Sequence, residues 1–322
     1  TTMANRKIPK ISLHDFASRR AEIGRQIISA AENDGFFVLY NQASPSVSEI
    51  EEIFKYSKSF FALPHSEKSQ TPHVPQLNTG WEHRSQIRPS TGVPDQKESL
   101  QLQLHRLHLN WPSSPSLPPD WAQKVATFAL NTHNLSMQIL SFFACALGFP
   151  EDFFTQAHQL GHEDAQSTLR LLHYFNAAGN EGEVSAGAHT DFDCLTMLFQ
   201  RSGESGLEIC PGREAESCGM LREERWTPVE PKTGEIVCNI GDMLMAWSDD
   251  RFKSLFHRVA PVRGERFSIA WFNQANKNVI IQGPLGKYPV KTAERYLGEK
   301  LAENFRIAKE RSEKMAMAAP AS

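Results

Sequence analysis

The sequence predicts a mainly β protein with flanking helices, in which one antiparallel β core forms a single domain over the whole chain. Residues 167–282 break into short β-branched or alternating segments separated by turns, which is typical of a sandwich or barrel. Helical periodicity dominates before them and returns at 292–314. At 322 residues the length would allow two domains, but large single β domains are common. We expect a helical and α/β framing region at 1–150, the core with the functional site at 151–290, and a C-terminal helix and tail at 291–322.

The first elements are predicted to frame the core. Apolar residues at helical spacing indicate a helix over 14–33, and Phe-Phe-Val-Leu-Tyr at 36–40 indicates a short buried strand. Ser46 and Glu49 have the spacing of a capping box, in which each side chain bonds the backbone of the other. This pattern predicts a helix that ends near Phe61.

The next elements are a loop and a long helix. Residues 64–95 are rich in Pro, Ser, His and Gln and are expected to form an irregular, functional loop. A helix is predicted over 120–147. It carries no acidic or basic residue after Lys124, but polar residues interrupt its apolar sequence. A buried helix is therefore favoured over a membrane span.

The segments after residue 150 are expected to form the β core, after a short helix near 151–157. Strands are predicted at 167–175, 194–200, 206–210, 226–229, 235–240, 243–247, 256–262, 265–273 and 278–282.

His189 and Asp191 are the strongest candidate metal ligands. Residues two apart in an extended segment point to the same side, so the imidazole and the carboxylate converge while Thr190 points away. A third ligand is expected from another histidine of the β core, and His257 fits, 66 residues beyond Asp191 at the start of a predicted strand. Two histidines and one carboxylate on one face leave three positions of an octahedral metal open, as in the facial triad of non-haem Fe(II) oxygenases.

Arg266 and Ser268 form a second candidate site. They follow His257 at a spacing of nine residues and share one face of a predicted strand. Arginine can bind a carboxylate through two hydrogen bonds, and the serine hydroxyl can add a third. A short dicarboxylate that chelates the metal at one end would need such a contact at its far end.

Together these motifs resemble the isopenicillin N synthase-like branch of the Fe(II)/2-oxoglutarate-dependent dioxygenases, over about residues 8–275. Fungal thymine-hydroxylase-like and secondary-metabolite members are the most similar. The matching segments are Ile-Pro-Lys-Ile at 8–11, Gly-Phe-Phe at 35–37, Phe-Ala-Leu-Pro at 61–64, Arg-Leu-Leu-His-Tyr at 170–174, Gly-Ala-His-Thr-Asp at 187–191, Leu-Thr at 195–196, Gly-Leu-Glu-Ile at 206–209, Asn-Ile-Gly-Asp at 239–242, Trp-Ser-Asp-Asp at 247–250, His-Arg-Val at 257–259 and Arg-Phe-Ser at 266–268.

The resemblance implies a double-stranded β-helix (jelly-roll) core that uses Fe(II), 2-oxoglutarate and O₂. The residues it assigns are His189, Asp191 and His257 to Fe(II), and Arg266, Ser268 and Tyr174 to 2-oxoglutarate. Many plant members carry an asparagine two positions before this tyrosine. Leu172 stands there in this chain, so that asparagine contact is expected to be absent.

Candidate substrate residues are Arg170, Phe192 and Phe272. Arg170 shares a strand face with Tyr174 and should point into the same pocket. A buried arginine needs a partner, either an anionic or carbonyl-bearing substrate or a salt bridge within the barrel. The resemblance places both phenylalanines near the substrate, with core packing as the alternative. Trp81, Arg84 and neighbouring residues of the predicted loop are expected to form a lid.

The predicted activity is oxidation of a C–H bond of a small aromatic or polyketide-type metabolite, with formation of succinate and CO₂. Hydroxylation, desaturation and rearrangement, including ring expansion, all remain open. The alternatives are an isopenicillin N synthase-type Fe(II) oxidase that needs no 2-oxoglutarate, and a nucleobase hydroxylase. A Zn(II) hydrolase on a jelly roll and a non-catalytic binding protein are more distant.

Composition narrows the partners to small molecules. With 34 basic and 37 acidic residues the formal charge is −3, which argues against nucleic acid as a partner because phosphate binding needs a basic surface. The first residues lack the apolar run of a signal peptide, and no membrane partner is expected. Five dispersed cysteines indicate reduced thiols and a cytoplasmic location. Residues 203–226 are expected to form a long loop, to which no function is assigned.

Overall fold

The computed structural model describes residues 7–87, 91, 94–107, 109, 111–176, 185–210 and 226–318. Its strands are β1 (Lys10–Ser12), β2 (Phe36–Tyr40), β3 (Gly80–His83), β4 (Lys97–Leu102), β5 (Thr168–Tyr174), β6 (Ala186–His189), β7 (Leu195–Gln200), β8 (Leu207–Ile209), β9 (Thr227–Pro228), β10 (Ile236–Ile240), β11 (His257–Val259), β12 (Arg266–Asn273), β13 (Ile280–Ile281) and β14 (Lys291–Thr292). Its α-helices are α1 (Arg20–Asn33), α2 (Val47–Phe61), α3 (His65–Lys68), α4 (Trp121–Ala146), α5 (Phe153–Ala157), α6 (Asp242–Trp247) and α7 (Ala293–Ala318).

Two sheets make up the core, and the prediction of a mainly β fold with flanking helices is confirmed. The larger sheet has the strand order β1-β2-β10-β7-β12-β5-β4-β3, and the smaller has the order β6-β11-β8-β9. Every pairing in these two sheets is antiparallel except that of β1 with β2. Side chains from both sheets line one cavity, so the sheets enclose it between them.

Helix α4 packs on the outer face of the larger sheet, as the prediction of a buried helix requires. The ring of Phe128 meets that of Phe199 at a centroid distance of 5.0 Å. Asn273 Nδ2 donates to Ser136 Oγ at 3.1 Å, so a polar side chain of the helix has a partner in the sheet. The uncharged sequence of α4 is thus explained by burial against the barrel. Among the described residues, no helix is long and apolar enough to cross a membrane.

Helix α2 begins as the sequence predicts. Ser46 Oγ accepts from the backbone N–H of Glu49 at 3.3 Å, and Glu49 Oε2 accepts from the backbone N–H of Ser46 at 2.7 Å. This capping box satisfies two backbone donors at the start of the helix. Helix α1, in contrast, starts at Arg20, six residues later than the predicted 14.

The strand predicted at 243–247 is wrong, because these residues belong to α6. The sequence Met-Leu-Met-Ala-Trp contains no β-branched residue, and Met, Leu and Ala are strong helix formers. The run is apolar on several sides because α6 enters the core, where Trp247 is fully buried. A short buried helix and a buried strand have the same apolar pattern.

The irregular loop predicted at 64–95 is also only partly correct. It contains α3 and β3, and the neighbouring strand β4 was not predicted. All six residues of β4 are buried although its sequence is Lys-Glu-Ser-Leu-Gln-Leu. Such a polar segment carries no recognisable strand signal, because its polar side chains find partners on both faces of the sheet.

Glu98 provides these partners on the outer face of β4. Its carboxylate lies 2.9 Å from Lys68 Nζ, 2.8 Å from Trp81 Nε1 and 2.9 Å from His173 Nδ1. Burial opposes ionisation, but the hydrogen bonds from His173 and Lys68 lower the pKa of Glu98 below its usual value. Trp81 is therefore a buried core residue, and the prediction that it forms part of a lid is wrong.

Candidate metal centre and co-substrate pocket

The cavity between the two sheets contains the candidate site. Most of the sequence-predicted site residues line it. Its lining consists of Phe36, Lys97, Arg170, Leu172, Tyr174, Ala186, His189, Asp191, Thr196, Leu198, Leu207, Asn239, His257, Val259, Arg266, Ala270 and Phe272.

His189, Asp191 and His257 converge in the wall of this cavity. His189 ends β6 and His257 begins β11, and the two are direct partners in the antiparallel pairing of these strands. Asp191 follows β6, and its Oδ1 lies 3.7 Å from Nε2 of each histidine. Two imidazoles and one carboxylate within 4.8 Å are the donor set that Fe(II) prefers in facial-triad sites, so the group fits an iron site.

Backbone carbonyls orient the two imidazole rings. Nδ1 of His189 lies 2.7 Å from the carbonyl oxygen of Gly187, and Nδ1 of His257 lies 3.4 Å from that of Leu255. A carbonyl can only accept, so Nδ1 carries the proton in each neutral ring. Each Nε2 then carries the lone pair that can bind a metal.

Two neighbouring strands hold the carboxylate. Thr196 Oγ1 donates to Asp191 Oδ2 at 2.6 Å, and Asn239 Nδ2 donates to the same oxygen at 2.8 Å. Oδ1 remains directed at the histidines. Gly241 lies so close to this loop that a Cβ atom there would sit 2.1 Å from the carbonyl oxygen of Asp193, so a glycine is required.

Asp242 contacts the metal-binding loop, residues 189–191, through both its backbone and its side chain. Its backbone N–H donates to the carbonyl of Asp191 at 2.8 Å, and its carboxylate Oδ2 accepts from Thr190 Oγ1 at 3.2 Å. Helix α7 holds Asp242 in turn. Lys300 Nζ donates to Oδ2 at 2.8 Å, and the Tyr296 hydroxyl donates to the Asp242 carbonyl at 2.9 Å.

Arg266 is buried and lines the same cavity. Ser268, two residues along β12, is also buried but is not part of the lining, so its contact with the co-substrate stays a prediction. Arg266 Nη2 donates to Gln200 Oε1 at 2.9 Å, and Nε donates to the carbonyl of Glu204 at 3.2 Å. Nη1 is buried and meets no hydrogen-bond acceptor among the described residues. A buried donor without a hydrogen-bond acceptor is costly, and a carboxylate of a ligand would supply the acceptor. The pocket beside Arg266 therefore fits a dicarboxylate such as 2-oxoglutarate.

Tyr174 lies beside Arg266 on the adjacent strand. The arginine Cζ is 4.7 Å from the centre of the tyrosine ring. Burial would raise the pKa of Tyr174, but the positive charges of Arg266 and Lys97 outweigh it and lower the pKa below the ordinary value. Leu172, which replaces the asparagine of the plant members, lines the cavity as an apolar wall.

The predicted substrate residues divide into two groups. Arg170 and Phe272 both line the cavity, and Arg170 Cζ lies 4.8 Å from the centre of the Phe272 ring. Burial would raise the pKa of Glu82, but a hydrogen bond from Ser85 and, to a smaller extent, the charge of Arg170 lower it below its usual value. A carboxylate therefore lies near Arg170. Phe192 is half-buried and does not appear in the cavity lining, so its contact with substrate stays a prediction.

Sequence reasoning missed several residues of the site. Thr196 and Asn239 lie in segments that resemble the family, so a signal existed although neither was given a role. Lys97 and Asp95 had no signal, because they lie in or beside the unpredicted strand β4. Most of the loop predicted at 203–226 lies outside the described residues, because residues 211–225, which include Cys218, are not described.

A cavity between two β sheets that is lined by an iron-binding triad and a buried arginine defines the class of non-haem Fe(II) oxygenases. Comparison with known proteins gives the family. The model of the 2OG-Fe(II) oxygenase superfamily matches residues 165–275, and that of the N-terminal region of a non-haem dioxygenase in morphine synthesis matches residues 8–123. The chain belongs to the 2OG-Fe(II) oxygenase superfamily.

Curated relatives and solved structures agree with this assignment. The 2-oxoglutarate-Fe(II) type oxidoreductase hxnY of Emericella nidulans is 28% identical, over 85% of this chain and 82% of its own. Proline hydroxylase buaE of Petromyces alliaceus is 30% identical, over 84% of this chain and 86% of its own length. The crystal structure of a full-length Neurospora crassa protein in complex with alpha-KG superposes with a TM-score of 0.77 at 26% identity, over 92% and 96%.

The predictions of a double-stranded β-helix core and of a 2-oxoglutarate-dependent dioxygenase are therefore confirmed. Fe(II) is the metal, and 2-oxoglutarate and O₂ are the co-substrates.

Proposed function

We propose that this enzyme oxidises a C–H bond of a small aromatic or polyketide-type metabolite. One observation carries the proposal: the triad, the buried Arg266 and the Arg170–Phe272 pair all line one cavity. Because the lining residues come from both halves of the chain, we further propose that a single oxygenase domain extends over 1–322.

His189, Asp191 and His257 hold Fe(II) in this proposal. Bound iron, with 2-oxoglutarate and O₂, supplies the oxidising power, and for a hydroxylation the balance is R–H + 2-oxoglutarate + O₂ → R–OH + succinate + CO₂. The carbonyls of Gly187 and Leu255 fix the histidine tautomers, so both rings present a lone pair to the metal.

Arg266, Ser268 and Tyr174 bind the far carboxylate of 2-oxoglutarate. Arg266 is held by Gln200 and the Glu204 carbonyl before the ligand arrives, so little side-chain entropy is lost on binding. This fixed contact orients the opposite, keto-acid end of the co-substrate toward the triad.

Phe272 and Arg170 face the substrate. The apolar side chains Leu172, Leu198 and Val259 exclude water around it, which protects the oxidising centre from side reactions. Arg170, held over the Phe272 ring, presents a planar set of donors to a carbonyl or anionic group of the substrate. Phe192 is proposed as a further contact at the edge of this pocket.

A nucleobase is the second candidate substrate. The same Neurospora crassa protein has also been crystallised with alpha-KG and thymine, and that structure superposes with a TM-score of 0.76 at 25% identity. An aromatic ring beside an arginine would suit a flat ring that carries carbonyl groups. Phenolic metabolites and thymine should therefore be assayed in parallel.

The test is a substrate screen on enzyme reconstituted with Fe(II) without oxygen. Binding of 2-oxoglutarate should produce a metal-to-ligand absorption band that the true substrate perturbs, and oxygen should then yield succinate and product in equal amounts. O₂ uptake that is the same with and without 2-oxoglutarate would identify an isopenicillin N synthase-type oxidase instead. Full substrate-dependent succinate formation by His189→Ala would disprove the proposed ligand set.

A further inference from the structure

A buried ion pair of the cavity wall has no role in the function described so far. Lys97, on β4, is 4% exposed, and its Nζ lies 2.9 Å from Oδ2 of the fully buried Asp95. Burying two charges is costly, and an apolar pair would often be no less stable. The position of the pair in the cavity therefore calls for an explanation.

The lysine lies in the same cross-strand row as the proposed co-substrate residues. Lys97 is the direct partner of Tyr174 in the pairing of β4 with β5, and Tyr174 is the direct partner of Arg266 in the pairing of β5 with β12. Directly opposed residues have Cβ atoms about 5 Å apart. All three side chains line the cavity, so the tyrosine is flanked by a cation on each side.

The aspartate connects the same pair to the metal site. Asp95 Oδ1 accepts from the backbone N–H of Gly187 at 3.0 Å. The carbonyl oxygen of that glycine accepts a hydrogen bond from Nδ1 of His189 at 2.7 Å. A continuous series of contacts therefore runs from Lys97 through Asp95 and Gly187 to a proposed iron ligand.

We propose that Lys97 is a second cationic residue of the 2-oxoglutarate pocket, which stabilises the far carboxylate across Tyr174, while Asp95 positions the strand that carries His189. This inference rests on the proposed role of Arg266.

The charges in the pocket support the proposal. Arg266 is held by the amide oxygen of Gln200 and the backbone carbonyl of Glu204, and the carboxylate of Glu204 is itself 2.8 Å from Arg201. Lys97 and Arg266 place two positive charges in this row, and the carboxylate of the co-substrate would join that of Asp95 beside them. The lowered pKa of Tyr174 agrees with this, because a phenol between two cations is a stronger hydrogen-bond donor.

The test separates the cation of Lys97 from its ion pair. Lys97→Met alone removes one charge partner of the buried Asp95 and is expected to unfold more easily. The informative variant is Lys97→Met combined with Asp95→Asn, because the amide can still accept from Gly187 and both charges of the pair are removed together. Thermal unfolding of the double variant should stay near that of the parent enzyme.

The measurement compares two keto acids by anaerobic titration of the metal-to-ligand absorption band. 2-Oxoglutarate carries the far carboxylate, and 2-oxovalerate has the same chain length without it. The double variant should bind 2-oxoglutarate about tenfold more weakly and 2-oxovalerate as well as the parent does, because only the contact between a cation and the far carboxylate is lost. Unchanged binding of 2-oxoglutarate, or equal weakening of both acids, would overturn the proposal.

Arg266→Gln is the comparator in the same titration. One outcome is a selective loss of affinity for 2-oxoglutarate in Arg266→Gln while the double variant shows none. That result would reject the role of Lys97 and support the proposed co-substrate site. An unchanged preference of Arg266→Gln for 2-oxoglutarate over 2-oxovalerate would reject the site itself, and Lys97 with it.

Discussion

Lys300 Nζ, on the C-terminal helix, lies 2.8 Å from Asp242 Oδ2, and that same oxygen accepts a hydrogen bond from Thr190. Thr190 stands between two proposed metal ligands, His189 and Asp191. Helix α7 is thus linked to the metal-binding loop through Asp242, whose carboxylate contacts Lys300 and whose backbone carbonyl contacts Tyr296.

Lys300→Met should weaken Fe(II) binding, because Asp242 loses its cation and holds the loop less firmly. We expect roughly a threefold to tenfold rise in the Kd for Fe(II), less than for a direct partner of a metal ligand, because Lys300 acts through Asp242 and Thr190. Equilibrium metal titration measures it. Lys309→Met, at an exposed position of the same helix, is the matched control and should bind Fe(II) normally. Equal affinities in the two variants would contradict the link.

Asn239→Ala should lower Fe(II) affinity more strongly, about 10- to 100-fold, because Asn239 contacts the carboxylate of Asp191 directly. Thr196→Val should act in the same direction through the same oxygen. Thr132→Val is the control, since this buried threonine bonds a backbone carbonyl within α4. If all three variants bind Fe(II) equally, the orientation of Asp191 does not depend on these contacts.

Arg266→Gln should raise the KM for 2-oxoglutarate roughly a hundredfold, because it removes a buried charge that meets the far carboxylate. Arg266→Lys should recover part of the loss, since it restores the charge but not the paired donors. Initial rates at varied 2-oxoglutarate measure both. A change confined to kcat would contradict a binding role.

Arg170→Gln should weaken binding of the C–H substrate about tenfold or more, and leave the affinities for Fe(II) and 2-oxoglutarate as they are. The absorption-band titration reports all three with the substrate found in the screen. Arg251→Gln, a surface change, is the control. If substrate binds Arg170→Gln normally, the arginine serves the structure through its neighbour Glu82.

Two buried histidines should make the fold acid-sensitive. Burial, and for His133 also the charge of His158, lowers the pKa of both from 6.5 to about 4. The unfolded chain therefore binds more protons between these values. The free energy of unfolding should be at its plateau above pH 6.5 and fall as the pH drops toward 4, by about 3 kcal/mol per histidine at most.

Denaturant unfolding at pH 7.5 and 5 measures this dependence. His133→Phe, which preserves an aromatic contact with Trp271, should reduce the difference between the two values. His14→Gln, at an exposed position, should not. An undiminished pH dependence in His133→Phe would contradict the assignment.

The sequence predicted the elements whose signals are local. The capping box of Ser46 and Glu49, the buried strand at 36–40 and the uncharged helix α4 all follow from patterns within a few residues. The metal triad could also be predicted, because His189 and Asp191 are two residues apart and His257 starts a strand with clear alternation. The positions of Arg266 and Arg170 in the cavity follow from the same alternation.

What could not be predicted depends on contacts distant in sequence. Strand β4 looks like a polar loop until Lys68 and His173 are seen to meet Glu98, across 30 and 75 positions. The same holds for α6, whose apolar run suits a strand equally well. Asn239 gains its role from Asp191, 48 positions away, which no local pattern encodes.

The ion pairs on the two faces of β4 also bear on how such a sequence can diverge. The pairs are Lys97 with Asp95 on the inner face and Glu98 with Lys68 on the outer face. If one member changes first, the other stays buried and loses a charge partner. Substitutions at the two positions of a pair should therefore occur together during evolution. Related chains that replace Lys97 with an uncharged residue are expected to have replaced Asp95 as well, so joint variation at the two sites would mark lineages that bind their co-substrate with Arg266 alone.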